Sequence, residues 1–245
     1  MKKILIFGAT SAIAKETALC LAEKGAALFL IARDEEKLSA LARELRTRGA
    51  SRVETVVMDA LEWNRHSEVI RQAQEQLQGL DAALIAHGTL PDQETCEASF
   101  DVARRELEIN FLSVASLLTV LANSFERARG GTIAVLSSVA GDRGRQSNYI
   151  YGAAKGAITL VLQGMRNRLY ASGVKVVTIK LGRVDTPMTA SFEKGLTWAQ
   201  PRTVATQICR AIEQGKDVVY VPGYWRAIMF VLRNIPEALF KRLRL

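Results

Sequence analysis

Seven short apolar runs limit the fold of this 245-residue chain more than any other feature of its sequence. They lie at residues 3–7, 26–31, 53–57, 81–86, 132–137, 174–180 and 217–221. Longer segments with helical apolar spacing separate them, so strand is predicted to alternate with helix. A strand that is apolar on both faces needs cover on both faces, which predicts a mostly parallel seven-stranded sheet between two layers of helices. Gly25, Gly49 and Gly79 follow the first three helical segments as predicted C-caps.

No repeat and no Pro/Ser-rich linker interrupts this alternation. The fold class predicted is therefore α/β, a single-domain doubly wound (Rossmann) fold over residues 1–223, followed by a basic amphipathic tail at 224–245. The formal net charge is +8, and five basic residues against one acid put +4 of it in the tail. This balance favours anionic partners. We expect no nucleic-acid partner, because no recognisable binding motif accompanies the charge.

Cysteine usage and the chain start bear on location. Cys20, Cys96 and Cys209 are far apart, without metal-ligand spacing, so neither disulfides nor a metal site is expected and a reducing, cytoplasmic compartment fits best. The apolar run after Lys2 and Lys3 is too short for a signal peptide. No run of about 18 apolar residues is present, so no membrane-spanning helix is expected.

The first strand runs into a turn of small residues and then a helix. Gly8-Ala-Thr10-Ser11-Ala12-Ile13-Ala14 has the spacing of a turn that binds a dinucleotide pyrophosphate on backbone N–H groups at a helix N-terminus. Ala12 and Ala14 stand where this pattern has glycine. A turn that only packs a helix on the sheet remains the alternative.

Two further positions suit an adenosine. Asp59 follows the third strand, where a carboxylate can accept from an adenine amino group, and Arg33 ends the second strand, where an arginine accommodates a 2′-phosphate. Arg33 therefore favours NADP(H). Asp34 could instead contact the ribose, which keeps NAD(H) open, and Arg33 could be a solvated charge.

Tyr151 and Lys155 are four residues apart in a helical segment, so both side chains can act on one site. A nearby ammonium is expected to lower the pKa of the tyrosine, which is otherwise a poor acid or base at neutral pH. Ser138 closes the fifth strand at the carboxyl edge of the sheet, where such folds bind ligands. The alternatives are a buried packing ring for Tyr151, a surface charge for Lys155 and a strand-end cap for Ser138.

Ser138-Val-Ala-Gly141 and Tyr151-Gly-Ala-Ala-Lys155, together with the turn, resemble the motifs of the short-chain dehydrogenase/reductase family over nearly the whole chain. The resemblance implies an NAD(P)-dependent enzyme that interconverts a ketone and a secondary alcohol. It implies that Tyr151 is the general acid, that Ser138 polarises the carbonyl, that Lys155 holds the nicotinamide ribose, and that Asn110 supports a water path. An asparagine at a helix bend is the alternative for Asn110. The cofactor positions it implies or the turn predicts are Gly8, Thr10, Ser11, Ala12, Ile13, Arg33, Asp59, Ala60, Ala86, His87, Gly88, Tyr151, Lys155, Gly182, Val184 and Thr186.

Two positions depart from the family pattern. Ala86-His87-Gly88 replaces the usual Asn-Ala-Gly, and Leu181 replaces a proline. A stacking or packing role for His87 near the cofactor is favoured over a role as catalytic base.

The loop before Tyr151 carries Arg143, Arg145 and Asn148, predicted to lie at the substrate entrance. This loop and the tail resemble reductases of polyprenyl-phosphate-linked keto sugars, which implies a lipid-linked anionic substrate. A small soluble ketone or a ketoacyl thioester is the runner-up, and a non-catalytic nucleotide sensor is a distant third. We expect a homo-oligomer, cytoplasmic and peripheral on the inner face of the membrane. The tail is expected to present one apolar stripe to lipid or to a second subunit, formed by Trp225, Ile228, Met229, Leu232 and Ile235.

Overall fold

The computed structural model describes residues 2–243. Seven strands form one sheet: Lys3–Phe7 (β1), Ala27–Ala32 (β2), Arg52–Val57 (β3), Ala82–Ile85 (β4), Thr132–Ser138 (β5), Lys175–Leu181 (β6) and Val218–Val221 (β7). Their order is β3-β2-β1-β4-β5-β6-β7 and every pairing is parallel. The predicted doubly wound α/β fold is confirmed, and each strand lies within one or two residues of its apolar run.

The helices are Ala12–Ala22 (α1), Glu35–Thr47 (α2), His66–Leu77 (α3), Gln93–Ala98 (α4), Phe100–Leu107 (α5), Ser113–Ala128 (α6), Tyr149–Leu169 (α7), Pro201–Gln214 (α8), Trp225–Asn234 (α9) and Glu237–Phe240 (α10). A π-helical segment, Glu108–Leu112, joins α5 to α6. Helices α1, α2 and α8 cover one face of the sheet, and α3, α6 and α7 cover the other. The core therefore consists of two layers, one on each side of the strands.

Local sequence explains most helix ends. Ser11 caps α1 by accepting the N–H of Ala14, and Asp34 caps α2 by accepting the N–H of Lys37. Gly25, Gly49 and Gly79 all have positive φ, at +74°, +101° and +108°, after the first three helices. The C-caps themselves are Glu23, Arg48 and Gln78, so the glycines lie one or two residues beyond the predicted cap positions, where a positive φ has little steric cost for glycine.

The continuous helix Phe100–Ala128 is long and apolar enough to cross a membrane by length and composition, contrary to the expectation that no such segment exists. Leu117, Leu118 and Leu121 on this helix are buried in the core beneath the sheet. Together with Asn110, which is fully buried, they identify it as a core helix of this fold.

The tail packs on the protein's own body. Trp225 and Met229 are 5% and 1% exposed, and with Val139 they form a third apolar cluster. Ile228 and Leu232 pack against this cluster, so the predicted stripe is one face of α9 but lies inward. Its assignment to lipid or to a second subunit is wrong for these residues, because the segment after β5 offers apolar surface to cover. Arg244, counted with the basic tail, lies outside the described residues.

Candidate active site

The turn after β1 lies where the strand order reverses, between β1 and β4. Gly8 has φ +79°, and a Cβ there would collide with the backbone of His87, so this position requires glycine. Ser11 N-caps α1 and leaves the helix N-terminus directed at the cleft. This arrangement provides backbone N–H groups for a pyrophosphate at a topological switch point.

A cleft of 520 Å³ runs along this carboxyl edge of the sheet. Of the predicted cofactor positions, its lining includes Gly8, Thr10, Ser11, Ala12, Ile13, Arg33, Asp59, Ala60, Ala86, His87, Gly88, Tyr151, Lys155 and Thr186. Gly182 and Val184 do not line it. The cleft is also lined by Lys37 and Arg105, which the sequence analysis missed.

At the adenosine end of the cleft, Arg33 and Asp34 differ in their contacts. Asp34 accepts the N–H of Lys37 at 3.0 Å and forms a 2.8 Å ion pair with its ammonium, which lowers the pKa of this carboxyl. Within residues 2–243 the Arg33 guanidinium makes no ion pair. Asp59 accepts the N–H of Leu61 and still lines the cleft. Arg33 is thus available to a ligand, whereas Asp34 is committed to α2.

Tyr151 and Lys155 lie on the first turns of α7 and both line the cleft. Lys155 is 4% exposed, and its Nζ donates to the carbonyl of Leu136 at 3.1 Å and lies 5.6 Å from the centre of the Tyr151 ring. Ser138 ends β5, where its Oγ accepts the N–H of Ala140 at 3.1 Å and donates to the carbonyl of Leu181 at 3.4 Å. It also lies close enough to Tyr151 to lower the pKa of the phenol. The three residues therefore converge at the carboxyl end of β5.

Burial shifts both titrating groups. The Tyr151 ring keeps some surface toward the cleft, but burial of the hydroxyl raises its pKa to about 12, and the hydrogen bond with Ser138 lowers it by less. Burial lowers the pKa of Lys155 to about 8. The expected lowering of the Tyr151 pKa by the ammonium is therefore not found in the described residues. At neutral pH the phenol is protonated, which is the form that a general acid requires.

Asn110 lies in the π-helical segment, a rare conformation that often marks functional sites. Its Oδ1 accepts the N–H of Thr89 at 3.1 Å, and its Nδ2 donates to Thr89 Oγ1 and to Glu106. Thr89 Oγ1 also donates to Glu106. The amide thus satisfies a backbone group beside Gly88, as in the simpler alternative, and does so next to Lys155. A Cβ on Gly88 would lie 3.4 Å from Lys155 Nζ. Thr89 and Glu106 were missed, although the four-residue spacing of Glu106 and Asn110 was a usable signal.

His87 lies under the turn and is partly exposed toward the cleft, with its ring 4.9 Å from that of Phe7. Ser113 Oγ donates its only proton to the carbonyl of Ile109, so His87 Nε2 must donate to Ser113, at 2.7 Å. His87 Nδ1 is then a buried acceptor without a protein partner. Burial lowers the pKa of this histidine to about 3, with Lys155 adding to the effect. His87 is a neutral packing group that lines the cleft.

At the substrate end, Arg143 lies under the tail. It donates to the carbonyls of Leu232 and Ile235, both at 2.6 Å, forms a 2.9 Å ion pair with Glu237, and stacks 3.6 Å over Phe240. Its guanidinium is therefore engaged in holding the tail and is not free at the substrate entrance, where it was expected.

Arg145 and Asn148, unlike Arg143, each have a buried atom that makes no hydrogen bond in the described chain. These atoms are Arg145 Nε and Asn148 Oδ1.

Gly182 lies directly beneath the Trp225 indole, and Val184 is buried in a bridge with Ala199. Trp225 was missed as a residue of this region because its helix was assigned to an outer surface.

The family model for the short chain dehydrogenases matches residues 2–197, which contain the turn, the cleft and all three converging side chains. The chain belongs to the short-chain dehydrogenase family. It is therefore a short-chain NAD(P)-dependent oxidoreductase that acts on CH–OH and C=O groups.

Relatives and solved structures agree with this membership. An uncharacterized oxidoreductase of Mycobacterium tuberculosis is 32% identical over 240 residues, 98% of this chain and 96% of the relative. One of Streptomyces coelicolor is 33% identical over 243 residues, 99% of this chain and 96% of the relative. The crystal structure of levodione reductase superimposes with a TM-score of 0.83 at 20% identity, over 92% of this chain and 98% of that one, which shows the shared fold.

The residues present fit the dinucleotide that this family uses. The turn before α1 and the first residues of that helix line the cleft, and Lys155 and Arg33 add cations to its lining. When bound, the nicotinamide supplies or accepts the hydride. The chain itself contributes binding groups and a protonated acid.

Proposed function

We propose that this protein reduces a ketone to a secondary alcohol with NADPH, with Tyr151 as the proton donor. The observation that carries the proposal is that Tyr151 and Lys155 line one cleft, with Ser138 beside them at the end of β5. The phenol, whose pKa burial raises to about 12, is protonated at neutral pH. Ser138 Oγ donates to the Leu181 carbonyl only over a long 3.4 Å, so this proton can turn to a substrate oxygen. Tyr151 then gives its proton to the oxygen as charge develops there.

Lys155 binds and orients. Its ammonium, charged below a pKa of about 8, lies between Tyr151 and the Gly88 backbone. From there it can hold a ribose hydroxyl and stabilise the phenolate that proton transfer leaves behind. Asn110 fixes the Thr89 segment that forms the opposite wall. The experiment is turnover of NADPH with a panel of ketones by the parent and by Lys155→Met, which should lose turnover and cofactor affinity together.

For the cofactor, we propose a preference for NADPH over NADH. Arg33 is free in the described chain, Lys37 also lines the cleft, and Asp34 is committed to α2. Arg33→Ala should weaken NADPH binding about 10- to 100-fold, because an arginine–phosphate pair is a strong charge-assisted contact. NADH binding should change little. Arg43→Ala, an exposed arginine of α2, is the control. Equal losses for both cofactors would contradict the proposal.

We propose that the substrate carries an anionic group and is lipid-linked, of the type of decaprenylphosphoryl-2-keto-ribose. Arg145, whose Nε is unpaired in the described chain, is the reason for proposing an anionic group on the substrate. The exposed apolar and basic residues of the tail are the reason for proposing a lipid link. Phe230 and Val231 are 71% and 62% exposed on the outer face of α9, with Arg226 and Arg233 nearby in sequence. A soluble ketone or ketoacyl thioester is the second candidate. It is favoured by the inward packing of Trp225 and Met229, which leaves less apolar surface for lipid.

We propose that the protein is cytoplasmic and lies peripherally on the inner face of the membrane. Flotation with anionic vesicles tests this location. Deleting the tail would also remove Trp225 and Met229 from the core, so point variants are the sharper test. The parent should float at low salt, and Phe230→Ser combined with Val231→Ser should not. Tyr170→Ser, 82% exposed on the body, is the control. If the parent does not float even at low salt, the membrane location is contradicted and the soluble ketone becomes the favoured substrate.

We propose that the protein is a homo-oligomer joined through α6 and α7. Leu112, just before α6, is 44% exposed, and Leu160 of α7 is 69% exposed. Helices α6 and α7 pack side by side, so they can offer one shared surface to a second copy. Leu160→Glu should lower the mass measured by sedimentation, whereas the Phe230/Val231 variant should not. The reverse result would place the interface on the tail.

A further inference from the structure

Glu106 differs from its neighbouring acid Glu108 in what its carboxylate contacts. Glu108 forms an ion pair with the exposed Arg104, at 2.8 Å. In the described chain Glu106 has no ion pair, and it accepts hydrogen bonds from Thr89 Oγ1 and, at 3.1 Å, from Asn110 Nδ2. A half-buried carboxylate without a cation depends on such donors, because burying a charge is costly unless hydrogen bonds satisfy it. Glu106 is therefore directed at the interior of the site.

These contacts fix the orientation of the Asn110 amide. Thr89 Oγ1 gives its one proton to Glu106, so toward Asn110, at 2.9 Å, it can only accept. A carboxylate can also only accept, so the end of the amide that faces both oxygens must be the NH2. Oδ1 is thereby turned to the N–H of Thr89, which it accepts at 3.1 Å. A reversed amide would place its oxygen against the carboxylate and its NH2 against the Thr89 N–H, and Glu106 excludes that arrangement.

The oriented amide lies beside Lys155. A Cβ placed on Gly88 would lie 2.8 Å from Asn110 Oδ1 and 3.4 Å from Lys155 Nζ, so both atoms face the same place behind the cleft wall. Gly88, Thr89 and Lys155 all line the cleft. A carbonyl oxygen on this side is favourable for an ammonium, whereas an NH2 would be repelled by it. The hydrogen bond to the Thr89 N–H also ties this wall to the helix that carries Asn110.

We propose that Glu106 is a positioning residue of the active site, whose carboxylate orients the Asn110 amide so that the amide holds the Gly88–Thr89 wall of the cleft beside Lys155. This rests on the proposed function and deepens it, because Lys155 is the group that binds the ribose and assists Tyr151. Glu106 is not part of the cleft lining in the described chain, so it acts through Asn110 and Thr89.

Two variants separate the acceptor oxygens of Glu106 from its bulk. Glu106→Met keeps a long, helix-favouring side chain that offers no oxygen, whereas Glu106→Gln keeps one oxygen that can accept from both donors. With NADPH and a ketone, Glu106→Met should lower the turnover number about 10- to 100-fold, as expected when a reacting constellation shifts by about 1 Å. Glu106→Gln should stay close to the parent. The KM for NADPH should change little in both, because Arg33 and the turn after β1 lie outside this network.

Glu94→Met, at an exposed glutamate of α4, is the matched control and should change nothing. Turnover is expressed per NADPH-binding site, so that unfolded protein does not contribute. Equal turnover in the parent and Glu106→Met, or equal losses in Glu106→Met and Glu106→Gln, overturns the proposal.

Coupling to Asn110 distinguishes positioning from a general effect on the fold. Asn110→Ala removes the amide that Glu106 orients, so Glu106→Met should lower turnover no further in that background. Losses that multiply in the double variant would show that Glu106 acts independently of Asn110, which contradicts the proposal.

Hydrogen exchange of the Thr89 amide gives a measurement that needs no substrate. This N–H should exchange about tenfold or more faster in Glu106→Met, and at the parental rate in Glu106→Gln and Glu94→Met. Unchanged exchange in Glu106→Met overturns the proposal, and if the parent still reduces a ketone through Tyr151, the proposed function stands without it. If exchange responds as expected while the parent turns over no ketone, Glu106 holds the wall and the proposed function fails.

Discussion

The two ends of the cleft are built in different ways. At the adenosine end, Gly8, Ser11 and Arg33 act within a few residues of the strand that carries them, and local spacing indicated each one. At the substrate end, Arg143, Gly182 and Trp225 depend on contacts between segments about 40 to 90 residues apart. The comparison shows that local spacing was enough to find Gly8, Ser11 and Arg33, although Gly8 also packs against His87 of a distant segment, whereas the substrate end is shaped by the chain's own tail.

Tyr151 lies between the two ends, and its replacement should have the largest effect. Tyr151→Phe removes only the hydroxyl, so turnover should fall about 10²- to 10⁴-fold, the usual contribution of a general acid. Cofactor affinity, measured by fluorescence titration, should stay unchanged, which would separate the chemistry from the adenosine end.

Tyr149→Phe, at a ring 42% exposed two residues earlier in sequence, is the matched control and should keep full activity. Turnover within a few-fold of the parent in Tyr151→Phe would remove the tyrosine from the mechanism.

Arg143→Leu tests whether the substrate end depends on the tail. The variant loses charged hydrogen bonds to the carbonyls of Leu232 and Ile235 and the ion pair with Glu237. Amide hydrogen exchange in α9 and α10 should speed up about 10- to 100-fold, while exchange in β1 and α1 stays constant.

Arg145→Leu is the control, since that guanidinium makes no bond to the tail in the described residues. Unchanged exchange in both variants would show that the apolar cluster around Trp225 holds the tail without Arg143.

His87 gives the cofactor end its own pH dependence. Its pKa is about 3 in the fold and 6.5 when unfolded, so the unfolded state takes up the extra proton and stability is lost as pH falls below about 6.5. From pH 7 to pH 5 this histidine should remove about 2 kcal/mol from the free energy of unfolding.

Urea denaturation of His87→Ala should show a correspondingly shallower loss over this interval, whatever its stability at pH 7. His66→Gln removes the other histidine and should leave the His87 contribution in place. An identical pH slope in parent and His87→Ala would mean that another group governs acid stability.

Most of the fold followed from the sequence because strand burial and helix ends are local properties. The seven apolar runs match the seven strands, and Gly25, Gly49 and Gly79 have the positive φ expected of their positions. The tail stripe was recognised for the same reason, as one face of a helix. The surface that the stripe covers was not recognised, because periodicity shows which residues share a helix face and carries no information on what that face contacts.

By itself, the sequence determined the parallel sheet, the small-residue turn after β1 and the pairing of Tyr151 with Lys155, since each depends on spacing within one or two elements. Only the tertiary structure decided that Arg143 binds the tail while the Nε of Arg145 is buried without a hydrogen-bond partner in the described chain, although the two arginines are two residues apart in the same loop. It also decided the direction of the Tyr151 pKa shift, because burial, which raises this pKa, outweighs the lowering expected from the nearby ammonium. Hydrogen-bond partners and desolvation depend on which remote segments come together, and no local pattern encodes that.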